Sequence, residues 1–360
     1  MQGKENEDTS KSWWWTKQTK QYLHVASVEH QPTTDDINYC PSYKVKEFQD
    51  MLESRYKNLY IPSQNLSLDE SLIRAFGRMK FKVRIVTKAA RYGIKLYVIT
   101  DATSAFVLKV IIYTGKTTYT PSEKEDEKKT VMVVKELCKD YAGTHRTIFV
   151  DRFYTSMDLL KALDKMGLYV TGTVMRNRLP KELQIFKTTK MFKQMNRGDF
   201  ESHLYKYQTD NGEVKNYGMV AWKDRDIVYA MSSAANNYKM DECTRRSANG
   251  LIKLKRPIII SEYNTYMGGV DLADMRRLHC NSTIMGQHRW WLKLFFYLLD
   301  VGTSNSVVLF REATGNKMNL SEFKTELVRK LLGERICKPA ISLDTPEVHV
   351  LVKAGDHRHL

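Results

Sequence analysis

Cysteine is scarce in this 360-residue chain and poorly placed for chemistry. The five residues Cys40, Cys138, Cys243, Cys280 and Cys337 are widely separated, odd in number and never form a Cys-x-x-Cys pair. That spacing argues against a disulfide framework and against a zinc cluster, so no structural zinc is expected, and a reducing compartment, cytosol or nucleus, fits best. Long apolar runs are missing too. The most apolar stretch, Trp290 to Val301, is interrupted by Lys293 and Asp300 and is shorter than a spanning helix requires, so no membrane partner is expected. The first twenty residues are polar apart from Trp13 to Trp15 and lack the continuous apolar core of a secretory leader. Acidic residues are the third shortage. Asp and Glu number 41 against 57 Lys and Arg, a formal charge of +16, and none occurs from Ser71 to Thr100. Such a surplus favours a polyanionic partner such as nucleic acid or an anionic membrane surface and says nothing of fold.

What is present is a mixture of strand and helix periods. Val45, Phe48, Met51 and Leu52 recur at helical spacing from Lys44 to Tyr56. Leu66 and Leu68, the alternation Phe81, Val83, Ile85, and the runs Ile94 to Thr100 and Phe106 to Tyr113 predict a meander of three or four strands. A helix at Val131 to Tyr141 precedes a short buried strand, Thr147 to Val150. A second helix follows, with Thr155 and Asp158 at capping-box spacing and Leu159, Leu160, Leu163 and Met166 on one face. Tyr169 to Val174 resumes as a strand, and Val214 to Trp222 and Ile227 to Ser232 read as short strands separated by turns. Helical patterning returns near Gly268 and continues through Trp290 to Arg311 and Ser321 to Leu332. No internal repeat is visible.

Three carboxylates stand out by placement. Asp69 and Asp151 follow apolar strand-like runs, and Asp271 opens a helix. Magnesium takes oxygen ligands, usually a few carboxylates with water and phosphate oxygens, so three converging aspartates suit two shared ions. Two ions about 4 Å apart can activate an attacking oxygen and stabilise the leaving one at phosphorus. Any one aspartate is more simply a cap, a turn or a surface group. Asp101 also ends an apolar run, and its Ala-Thr-Ser neighbours make a hairpin turn the simpler reading.

The segments Leu68-Asp69-Glu70-Ser71-Leu72, Tyr92 to Tyr97, Val150-Asp151-Arg152-Phe153-Tyr154-Thr155-Ser156, Gly172 to Arg178 and Tyr263 to Asp274 resemble, in order, the motifs of piggyBac-type transposases. Arg289-Trp290-Trp291 through Asn305-Ser306 resembles that family's C-terminal catalytic helix. The resemblance implies an α/β fold: an RNase H-like mixed sheet flanked by helices, with a β-rich insertion domain between the second and third catalytic aspartates. It implies a flexible segment 1–43, a catalytic domain split between 44–178 and 264–335, the insertion at 179–263 and a tail at 336–360. Asp69, Asp151 and Asp271 then match the catalytic, metal-holding aspartates for two Mg2+ or Mn2+ ions, and Asp274 matches an accessory acidic position. The implied partner is double-stranded DNA, at transposon ends and TTAA targets, with room for a homodimer and a nuclear location. The implied chemistry is nicking, hairpin formation and strand transfer. Relatives of this kind continue into a cysteine-rich module, and Ala75-Phe76-Gly77-Arg78 departs slightly from the family order, so a truncated or domesticated DNA-binding protein is the alternative.

Lys80, Lys82 and Arg84 alternate with Phe81, Val83 and Ile85, which at strand period puts cations on one face and apolar groups on the other. Arg78, Lys80, Lys82, Arg84, Lys88, Arg91, Arg176 and Arg178 are the expected DNA-binding residues. Trp290, Trp291, Phe295 and Phe296 are read as core aromatics rather than base-stacking groups.

Overall fold

The computed structural model describes residues 23–27, 33, 36, 39–75, 77–85, 92–118, 127–179, 194–209, 212–234, 239–247, 250–279, 281–282 and 289–333. Most of the segment 1–43, the tail 336–360, Lys88, Arg91, Cys280 and Cys337 lie outside the described residues. The chain divides into one unit at Met1–Leu320 and a second at Ser321–Leu360.

Nine strands of the first unit form one mixed sheet. They are β1 (Asn65–Arg74), β2 (Val83–Arg84), β3 (Tyr92–Asp101), β4 (Val107–Ile112), β5 (Thr147–Val150), β6 (Tyr169–Thr173), β7 (Phe200–Gln208), β8 (Val214–Lys223) and β9 (Ile227–Ser232). The path runs β2-β3-β1-β5-β6-β9-β8-β7, with β4 also paired to β3. Strand β3 is antiparallel to β1, β2 and β4, whereas β1, β5 and β6 are mutually parallel. Parallel neighbours need a crossover, and the helix Met157–Lys165 supplies the one between β5 and β6. This is the mixed sheet flanked by helices expected from the motifs. The alternation predicted over Lys80 to Ile85 reduces to the two-residue β2, although the period of exposure persists: Lys80, Lys82 and Arg84 are exposed while Phe81 is buried.

The helices of this unit are α1 (Tyr43–Leu59), α2 (Lys129–Cys138), α3 (Met157–Lys165), α4 (Ile258–Tyr266), α5 (Gly269–His279) and α6 (Trp290–Thr314). Helix α3 forms because Leu159, Leu160 and Leu163 fall on one face, all fully buried, each stabilising by about 2 kcal/mol. Its N-cap is Ser156, whose hydroxyl accepts from the Leu159 amide, and not the predicted Thr155. Thr155 instead donates to the Asp151 carbonyl at 2.8 Å, closing the turn after β5. Helix α1 lies on β4, where Gln49 donates to the Val110 carbonyl, and Phe48 meets Phe295 of α6 at 4.9 Å.

Helix α6 is long and apolar enough by length and composition to cross a membrane, yet its apolar side chains pack into the core. Two of its buried polar groups are bonded inward. Asn305 exchanges two hydrogen bonds with the backbone of Val107, and Asp300 accepts from Ser282. Trp291 is buried and Trp290 meets Phe81 edge-on at 5.1 Å, as the core reading of these aromatics requires.

The β-rich stretch between Asp151 and Asp271 is continuous with the main sheet, because β9 pairs with β6 through Thr171 and Ser232. Among the described residues, β10 (Met240–Ser247) and β11 (Gly250–Pro257) form a separate ribbon, held by the Trp222 indole donating to the Lys255 carbonyl. Helix α4 begins at Ile258, inside the span expected to be β-rich, directly after Pro257. Within the second unit, α7 (Leu320–Leu332) is amphipathic with Leu331 exposed.

Candidate active site

Asp69 and Asp151 reach one corner of the sheet by register. The parallel pair β1 and β5 matches Leu68 with Val150, so each aspartate is the next residue along its own strand direction. Asp69 remains within β1, opposite Val98, and Asp151 begins the turn that leads into α3. Gly172 lies across from Val150 on β6, and a Cβ there would sit 2.4 Å from the Val150 carbonyl and 2.3 Å from Thr155 Oγ1. Close packing of that corner therefore needs glycine at position 172.

Both carboxylates are half-buried. Asp151 Oδ1 accepts from the Phe153 amide at 2.8 Å, and Asp69 Oδ1 accepts from the Glu70 amide at 2.7 Å. Burial raises the pKa of Asp151 above the ordinary carboxylate range; the Phe153 amide opposes this and the Glu70 charge adds to it. The Tyr263 hydroxyl, from α4, is raised chiefly by burial, with the charges of Asp151 and Asp69 adding, and it accepts from Thr173 Oγ1 at 3.4 Å. Tyr263 therefore stands over the same corner, and the corner is rich in negative charge. Glu70, one residue along β1, turns the other way, pairing with Lys95 and accepting from Tyr154.

Helix α5 carries Asp271 in its first turn and docks on β1 and β3. Gly269 permits the approach, since a Cβ there would lie 2.5 Å from Thr100 Oγ1 and 2.9 Å from Ser67 Cβ. The Asp271 side chain is exposed. An ionised carboxylate keeps its hydration unless a counter-charge offsets desolvation. Among the described residues, no three His, Cys, Asp or Glu side chains converge as a ready metal cage. The structure thus sets Asp69 and Asp151 each one residue beyond the paired Leu68 and Val150, and carries Asp271 exposed on the helix docked against β1 and β3. The pair fits a hard divalent ion by donor chemistry, offering carboxylate oxygens from adjacent strands where like charge accumulates. Asp101, by contrast, is a turn residue as expected: it is buried and accepts from the amides of Ser63, Thr103 and Ser104.

Of the expected DNA-binding cations, Arg78, Lys80, Lys82, Arg84 and Arg176 are exposed. Arg178 is half-buried and donates to the carbonyls of Arg152 and Phe153, so it also fixes the turn after Asp151. The sequence reading missed Tyr263, Ser67 and Ser71. A signal for the serines existed in the period-two pattern Ser67, Asp69, Ser71, which puts all three on one face of a strand.

The family model described as Transposase IS4 matches residues 17–307. Human relatives include PiggyBac transposable element-derived protein 3 (Homo sapiens), 26% identical over 85% of this chain and 49% of its own length. PiggyBac transposable element-derived protein 5 (Homo sapiens) is 19% identical over 88% of this chain and 59% of its own length. The chain thus spans about half the length of these curated relatives. Among solved structures, a piggyBac transposase synaptic complex with hairpin DNA superposes with a TM-score of 0.70 at 22% identity, covering 89% of this chain and 64% of that one.

Proposed function

The chain belongs to the Transposase IS4 family and is similar to PiggyBac transposable element-derived proteins, and on that premise we propose that it is a transposase catalytic domain that cuts and joins DNA strands with divalent metal ions. The observation that carries this reading is that Asp69 and Asp151 each follow directly on the paired residues Leu68 and Val150 of neighbouring parallel strands, with the helix that bears Asp271 docked on the first of them. Asp69, Asp151 and Asp271 would be the residues that hold the Mg2+ or Mn2+ ions. When bound, a pair of such ions supplies an activated attacking oxygen and charge stabilisation at phosphorus. The chain's own part is placement. Arg178 and Thr155 fix the turn after Asp151, and Tyr263, hydrogen-bonded to Thr173, offers a hydroxyl near the same turn.

The exposed cations Arg78, Lys80, Lys82, Arg84 and Arg176 would track the phosphates of double-stranded DNA. The motif resemblance supplies the finer reading: transposon ends as substrate, hairpin formation, TTAA targets, a homodimer and a nuclear location. The test is cleavage of a hairpin-ended duplex and of a TTAA-containing linear duplex by the purified full chain, with Mg2+ or Mn2+. Cleavage by the wild type and a loss of roughly a thousandfold in Asp69→Asn and Asp151→Asn are expected, since such ions contribute several kcal/mol to the barrier. The exposure of Asp271 favours a second reading, a domesticated DNA-binding protein without strand chemistry. Salt-dependent DNA binding with no metal-dependent cleavage under the same conditions would establish that second reading.

A further inference from the structure

Asp274 resembles an acidic position of the family, but its oxygens are engaged within the protein. Ser71 Oγ donates to Oδ2 at 2.6 Å, and Arg277 Nη2 donates to Oδ1 at 3.2 Å. Arg277 is itself buried, with its guanidinium 4.7 Å above the ring of Tyr297, a fully buried residue of α6. A carboxylate matched to a serine hydroxyl and a buried guanidinium has little left for a cation. It is well placed to hold one element against another.

The contacts show which elements. Ser67, Asp69 and Ser71 share one face of β1 by strand alternation. Ser67 Oγ donates to the Met267 carbonyl at 2.6 Å, just before α5, and Ser71 bonds Asp274 two helical turns later. Four strand residues span about 13 Å and seven helical residues about 10 Å, so the two bonds match in reach and tie helix to strand at both ends. Between them lie Asp69 on the strand and Asp271 on the helix. Three residues of helix leave Asp271 about 60° around the axis from Asp274, on the adjoining flank.

We infer that Asp274 is a positioning residue: with Ser71 and Arg277 it latches α5 to β1 and sets the reach of Asp271 toward Asp69, and it does not ligate metal. The inference rests on the metal-site reading proposed above. Such outer partners typically change metal affinity tenfold to a hundredfold.

The experiment is Mn2+ binding to the full chain, followed by electron paramagnetic resonance, with a thermal melt of each variant in the absence of metal. Ser71→Ala and Asp274→Ala are each expected to weaken binding by roughly tenfold to a hundredfold. The double variant should be no weaker than Asp274→Ala alone, because the two changes remove one shared bond. Asp274→Asn, which keeps a carbonyl acceptor for the serine, should retain most of the affinity. Loss of binding in Asp274→Asn to the level of Asp69→Asn, with Ser71→Ala unchanged, would make Asp274 a ligand and overturn the inference. A lowered melting temperature with unchanged Mn2+ affinity in Asp274→Ala and Ser71→Ala would overturn it as well, leaving only a structural bond. A wild type that binds no better than Asp69→Asn would overturn the metal-site reading itself, and the inference with it.

Discussion

Two aspartates at the ends of apolar strands, Asp101 and Asp151, differ by what surrounds them. Asp101 is raised by burial, yet the amides of Ser104, Ser63 and Thr103 outweigh that and hold its carboxyl below the ordinary range. Asp101→Ala would leave buried donors unmatched and should cost roughly 3 kcal/mol in urea unfolding. Because the folded pKa is depressed, Asp101 binds protons less readily folded than unfolded. Its stabilisation is therefore present above the unfolded carboxylate value and lost as pH falls through the folded one. The stability gap between wild type and Asp101→Ala should narrow in acid unfolding series over that window. Asp151 has the opposite sign. Its raised pKa gives a contribution that is present at low pH and lost as pH rises through the folded value, so the ionised group opposes folding at neutral pH. Asp151→Asn, melted at pH 7 without divalent ions, should therefore show a higher melting temperature than wild type. A buried, charge-rich site kept at the cost of stability is what a functional carboxylate predicts.

Among the elements, the decisive feature is how closely strands and helices approach near that corner. Gly172→Ala would press a methyl against the Val150 carbonyl and Thr155, and should destabilise by about 1–3 kcal/mol in chemical denaturation. Much of this architecture was legible beforehand. Strands β1, β3, β4, β5 and β6 and helices α1, α2, α3 and α6 follow from period and burial, and β5 delivers Asp151 where the apolar run ends. The cap of α3 was displaced by one residue because Thr155 and Ser156 are equally good caps in sequence, and only the turn geometry assigns Thr155 to the Asp151 carbonyl. The joining of β9 to β6 was invisible, since Thr171 and Ser232 are distant in sequence and nothing local encodes their pairing. For Ser67 and Ser71 the strand period shows only the face shared with Asp69, because a serine on a strand gives no sign of the helix it will bond.

For the whole molecule, the proposed duplex partner is tested through the charge surplus. With Lys80, Lys82 and Arg84 exposed together, replacing all three by Gln should weaken duplex binding uniformly across sequences and reduce the slope of log affinity against log salt by about 3. Fluorescence anisotropy over a salt series measures this, and an unchanged slope would remove that face from the DNA path. The fold itself does not determine whether strand chemistry occurs, because a sheet of this class can be kept for binding alone. The deciding quantity is whether Asp69, Asp151 and Asp271 grip an ion together. Anomalous diffraction from crystals of the full chain soaked in Mn2+ measures it most directly. The account predicts a peak between the carboxylates of Asp69 and Asp151, with Asp271 turned inward toward a second peak. Manganese peaks only elsewhere on the molecule, with Asp271 still facing solvent, would contradict it.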